Sequence, residues 1–178
     1  MWPNSYFGND LFQIANPKFS TLQFVENARQ NGIIISQNKT VAAFRAGFNK
    51  LVTGQQATNF VDPTFSYPDG EHFMITAIRG FQGINAVLGA TAWTAGVTDG
   101  LGMNGQFTMT NNGTQELKDM PFTVFQPGTN SPDAGWLILP KPIWWKAQTN
   151  MLFQGAWATA PATATLNFRV EFHGLKMI

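Results

Sequence analysis

The clearest pattern in the chain lies near its end. Over residues 162–173, Ala162, Ala164, Leu166, Phe168, Val170 and Phe172 alternate with Thr163, Thr165, Asn167, Arg169, Glu171 and His173. Side chains of a strand point alternately to opposite faces, so this period of two predicts a strand with one face on a core and the other on water or a partner subunit. Residues 106–110 alternate in the same way and run into Asn111-Asn112-Gly113, the turn chemistry of a β-hairpin. Apolar runs at 33–35, 73–81, 122–125, 136–139 and 145–153 read as further short strands. Pro127-Gly128, Pro132-Asp133, Pro140-Lys141-Pro142 and Gly155 separate the later ones.

Two segments depart from this pattern. In 40–54, Val41, Phe44, Phe48, Leu51 and Val52 fall on one helical face between Thr40 as an N-cap and Gly54 as a stop, which predicts one short amphipathic helix. Before residue 32 the aromatics Trp2, Tyr6, Phe7, Phe12, Phe19 and Phe24 stand singly among Asn, Pro, Ser and Gln. Without a sustained period such a stretch makes no core of its own, and it reads as an extended arm over 1–31 with a helical turn at 21–29. Many short strands with no helical crossover between them predict an all-β sandwich or barrel over 32–178.

Composition adds a second kind of information. The 178 residues suit one domain, or one domain with an arm. Charged residues make up 12% of the chain against roughly 25% in an average protein, and Asn, Gln, Thr, Gly and Ala stand in their place. A surface so poor in charge suits a protein packed against neighbours. The net charge is +1 with no basic stripe, which argues against nucleic-acid binding. There is no cysteine for a disulfide, a thiolate zinc site or a thiol nucleophile. The opening Met1-Trp2-Pro3-Asn4 and the interrupted stretch after it predict neither a signal peptide nor a membrane span.

Motifs for chemistry are weak. Gly100-Leu101-Gly102-Met103-Asn104-Gly105 spells a dinucleotide fingerprint, but a strand follows it where a helix is needed, so it reads as a glycine-rich loop. His72 and His173 each have one acid nearby, Glu71 and Glu171, and read as surface polar pairs because a third metal ligand is missing. Asp62, Asp69 and Glu71 match no calcium spacing and read as turn caps. No serine stands in a nucleophile context. The expectation is a protein that is not an enzyme and carries no cofactor. The tryptophans at 136, 144, 145 and 157 suit a core or a subunit interface, with glycan stacking as the alternative.

The C-terminal third resembles small structural proteins of bacteriophage virions. The pattern is a proline-flanked aromatic run, Pro140-Lys141-Pro142-Ile143-Trp144-Trp145, then a polar strand over 146–153 and the small-residue turn Ala158-Thr159-Ala160-Pro161. A last strand, 166–173, closes at Gly174-Leu175-Lys176. The match covers about forty residues, and the first seventy have no counterpart in it. What the resemblance implies is a jelly-roll sandwich serving as a decoration, cement, vertex or small major capsid protein, located in the virion. Its partners would be other capsid subunits, as a trimer or pentamer of itself or with a major capsid protein. The contact surfaces expected are the arm aromatics, the Trp144-Trp145 loop, and the polar strand face with Arg169, Glu171 and His173.

Overall fold

A computed structural model describes residues 21–35, 39–52, 58–85, 87–96, 104–126, 135–158 and 166–177. The first strand, β1 (Val41–Leu51), occupies the segment expected to be a helix. Phe44 and Phe48 are four residues apart, a spacing that is a multiple of the strand period and also close to the helical repeat, so they share a face in either structure. Eleven paired residues, from Val41 opposite Met177 to Leu51 opposite Asn167, decide for the strand. The one α-helix among the described residues is α1 (Thr21–Gln30), where only a helical turn was expected. No strand forms at 33–35.

The remaining strands are β2 (Thr58–Asn59), β3 (Phe73–Ile84), β4 (Thr94–Ala95), β5 (Gly105–Asn111), β6 (Thr114–Pro121), β7 (Trp136–Trp145), β8 (Met151–Trp157) and β9 (Leu166–Met177). They form two antiparallel sheets and an all-β sandwich. One sheet runs β1-β9-β3, with β7 and β4 both on the far side of β3; the other runs β2-β8-β5-β6. The pairings are nested. β5 pairs with β6, β3 with β7, β2 with β8 and β1 with β9, like the two arms of one long ribbon whose tip is the β5–β6 turn. Contacts of β9 with β3 and of β8 with β5 roll that ribbon up. The tip is the Asn-Gly turn read from the sequence: Asn112 and Gly113 have φ of 46° and 81°, the left-handed pair that a tight hairpin demands.

β3 bulges midway along its length. Both ladders on β3 shift register between Ile75 and Ala77, and β7 loops out over Leu139–Pro142 at the same place. Pro140 and Pro142 therefore interrupt pairing inside one strand, where two strands were expected, because a bulge is where proline's missing N–H does no harm. Gly174 permits the close approach of β9 to β3 beside this bulge, since a Cβ there would lie 1.8 Å from the Met74 carbonyl oxygen.

Between the sheets lies a core rich in aromatic rings. Trp145 is fully buried with its ring centroid 4.9 Å from that of Tyr67 and 5.4 Å from that of Phe65. Phe107 stacks on Phe153 at 4.8 Å and on Phe125 at 5.3 Å, and Phe122 on Phe168 at 4.8 Å. Phe122–Phe125 is a 3-10 turn, not the strand expected, and its tighter coil sends both phenylalanines into this core. Each such ring taken out of water contributes about 1.5–3 kcal/mol. A smaller cluster covers the other side of the β1-β9-β3-β7 sheet, where Phe24 and Ala28 of α1, with Ile33, meet Met74, Ala77, Trp136, Trp144, Leu175 and Met177.

Candidate functional site

Because α1 covers only part of the outer face of that sheet, the rest of the face carries polar groups, and β9 organises them. The same alternation that sends Phe168, Val170 and Phe172 inward sends Arg169, Glu171 and His173 outward. Register then sets their neighbours: Arg45 of β1 lies opposite His173, Gly47 and Arg79 lie on either side of Glu171, and Asn49 lies opposite Arg169. Five charged or ionisable side chains from three strands thus meet within two steps of one sheet.

Glu171 is the hub. Its Oε1 accepts from Arg169 Nη2 at 2.6 Å, and its Oε2 lies 3.2 Å from His173 Nε2 and 3.7 Å from Arg45 Nη1. The carboxylate side chain is 3% exposed and that of His173 7%, whereas Arg169 and Arg45 reach the surface at 30% and 62%. Burial by itself would raise the Glu171 pKa, but the His173 hydrogen bond and the arginine charges outweigh it and hold the group below the ordinary glutamate value. For His173 burial dominates. It lowers the pKa against the opposing pull of Glu171, with Arg45 and Arg79 adding to the depression. A neutral His173 must carry its proton on Nε2, since a carboxylate can only accept. Gly47 makes room for the Arg169 guanidinium beside the carboxylate on the β1 side: a Cβ there would approach Arg169 Nη2 to 3.3 Å and Glu171 Cγ to 3.5 Å.

The β3 side of the cluster is differently built. The Arg79 guanidinium carbon lies 5.0 Å from the ring centres of both Phe81 and Trp136, and Arg169 lies 5.9 Å from Phe81. Trp136 also meets the His173 ring edge-on at 4.7 Å. Arg79 makes no ion pair among the described residues, although it faces Glu171 in the register. Arg79 Nε, Arg169 Nε and the indole Nε1 of Trp136 are buried donors without an acceptor. Leaving such a donor unmatched costs about 1–3 kcal/mol.

Of the residues expected at contact surfaces, the structure brings Arg169, Glu171 and His173 together, but as a sunken cluster and not as a surface pair. Only Arg169 among them is reachable to any extent, because neighbouring strands and Trp136 close over the other two. Phe24 and Trp145 are fully buried and Trp144 is 5% exposed. Phe24 meets Trp144 edge-on at 4.9 Å, so part of the expected arm lies against its own sandwich. Trp2, Tyr6, Phe7, Phe12 and Phe19 lie outside the described residues. Sequence reasoning missed Arg45, Arg79 and Phe81, and it weighed Trp136 only as a core, interface or glycan-stacking ring, not as a neighbour of this cluster. An alternative period-two reading of Ala42, Phe44, Ala46 and Phe48 would have placed Arg45 and Gly47 on the opposite face.

Other polar groups have plain structural roles. Glu71 pairs with Lys176 at 2.7 Å, and His72 Nδ1 accepts the Ala147 N–H at 3.0 Å, so these neighbours do not form a pair with each other. Asp62 caps a turn, accepting from the Thr64 N–H at 2.8 Å and its hydroxyl at 2.7 Å. A polar cavity of about 260 Å³ is lined by Asn31, Asn111, Glu116, Trp144, Lys146 and Thr149, among others. Among the described residues no group of three or more His, Asp or Glu is placed to hold a metal, and no helix is long and apolar enough to cross a membrane. Comparison with protein-family models, curated proteins and solved structures finds no match to this chain.

Proposed function

We propose that the chain is a jelly-roll structural subunit of a bacteriophage capsid, stabilising the shell through contacts between subunits. The observation that carries the reading is the strand order. With the two-residue β4 set aside, eight strands in nested pairs fill two four-stranded sheets, β1-β9-β3-β7 and β2-β8-β5-β6. Rolling up one long ribbon gives that order, which is the plan of the two-Greek-key sandwiches used in viral shells and also in lectins and cupins.

The low content of charged residues supports the shell reading over the other uses of this plan. So does the resemblance of the C-terminal strands to phage virion proteins. Glycan stacking has less to rest on, because Trp144 and Trp157 are 5% and 4% exposed and offer no open ring face to a sugar. The partners are further copies in a trimer or pentamer, a major capsid protein, or both. Weak contacts repeated over closed symmetry suffice for a stable particle.

Negative-stain electron microscopy of the purified chain tests the proposal. Rings or shells of uniform size support it, and a field without them, with and without a candidate shell protein, overturns it. Two deletions locate the assembling segment. Removal of 1–20 is expected to leave a folded sandwich that no longer assembles. Removal of 1–30 also strips Phe24 and Ala28 from the sheet and is expected to lower its stability by about 3 kcal/mol or more.

A further inference from the structure

The outer face of the β1-β9-β3-β7 sheet gathers three guanidiniums around one carboxylate, and the carboxylate does not serve them all. Glu171 accepts from Arg169 and attracts Arg45, while Arg79 is held by ring faces alone. With His173 neutral, the five groups carry three positive charges and one negative charge, an excess of two. Arg79 Nε, Arg169 Nε and Trp136 Nε1, all buried, have no acceptor. Trp136 is itself only 9% exposed. A core position would have been filled with apolar groups, and an exposed one would have left these donors to water.

We infer that Arg79, Arg169 and the Trp136 indole N–H form a binding site for an oxyanion, a carboxylate or phosphate group, with Arg45 at its rim. The chemistry fits the donors. A guanidinium presents a rigid fork that matches two oxygens of either anion, and an indole N–H donates one further bond. Phe81 lies beside the guanidiniums of Arg79 and Arg169 and positions both through its ring face. Glu171 has a positioning role: its bond to Arg169 Nη2 fixes one side of that guanidinium and leaves Nε to a ligand. Gly47, with no side chain, leaves the space over β1 in which the Arg169 guanidinium lies, since a Cβ there would come within 3.3 Å of its Nη2 and 3.6 Å of its Nε. The inference is independent of the shell reading, although a carboxylate presented by a neighbouring protein would satisfy both.

The test is nitrogen–proton correlation NMR of the whole chain, following arginine Nε–Hε and tryptophan indole signals during titration with inorganic phosphate and, separately, with acetate. Ionic strength and pH are held constant with chloride. Saturable shifts of two arginine signals and one indole signal are expected, weakened by roughly tenfold or more in Arg79→Gln. Phosphate binding at least as tightly as its extra charge requires identifies a phosphate ligand; equal binding of acetate identifies a carboxylate.

Arg45→Gln covers the case in which the Arg79 variant does not fold, because Arg45 is mostly exposed. It is expected to weaken binding roughly two- to fivefold. The absence of saturable shifts with both anions overturns the site. So do shifts that persist unchanged in either folded variant.

Discussion

The two faces of β9 are both buried, but by different means. On the inner face Leu166, Phe168, Val170 and Phe172 meet aromatic rings from both sheets, and none of the four carries a titratable group. On the outer face, one residue further along in each case, Glu171 and His173 are buried and Arg169 half-buried among charges whose balance is incomplete. The first arrangement yields stability from area removed from water. The second yields little net stability, since desolvation offsets much of the ionic attraction, and it leaves donors ready for a ligand. The contrast teaches that burial along one strand does not imply one purpose.

The sharpest way to separate the faces is to truncate one residue from each. Phe172→Ala leaves a cavity in the core and is expected to cost about 3–5 kcal/mol in urea unfolding. Glu171→Gln keeps the shape but removes the charge that Arg169, Arg45 and His173 share. The expected loss is about 1–3 kcal/mol, discounted because both arginines are partly solvated. Equal losses at the two positions would erase the distinction.

Acid should weaken the outer face first. His173 has its pKa lowered from 6.5 by burial, and so does His72, where Asp69 opposes the effect and Lys146 adds to it. Between the folded value and 6.5 the unfolded chain binds more protons, so the stability these groups contribute is full above 6.5 and falls with pH through the folded values. Glu171, held below 4.5, continues the loss in the same direction at lower pH. Thermal unfolding between pH 7.5 and 5 is expected to show a falling midpoint. His173→Gln should flatten the slope only in part, because His72 must also remain unprotonated at Nδ1 to accept the Ala147 N–H. A slope untouched by that substitution would place the titration elsewhere.

Arg45→Gln should have the smallest effect on stability, under about 1 kcal/mol by urea unfolding, because that guanidinium is largely exposed and its contact with Glu171 is the longest of the three. A larger loss would mean that Arg45 supports the sheet itself, and that the outer face is as structural as the inner one.

How much of this was legible in the sequence follows from which interactions are local. The alternation around Leu166 to Phe172 and the Asn112-Gly113 turn are local, and both appear where the pattern puts them. The segment holding Phe44 and Phe48 is ambiguous at short range, and only its pairing with β9 selects a strand. Burial of Glu171 and His173 was illegible because it comes from Trp136 and from the neighbouring strands, which polarity along one strand cannot reveal. Arg79 and Arg45 join the cluster through register alone, 92 and 126 residues before Glu171 in the chain. The prolines at 140 and 142 misled for the opposite reason: their local meaning, a break between strands, was overruled by a bulge shared with β3.

The most direct test of the shell reading is the mass of the purified chain in solution, measured by light scattering across a concentration series. A discrete species at three or five times the 19.6 kDa chain mass is the predicted result. A strict monomer at every concentration would contradict the self-assembling subunit proposed here.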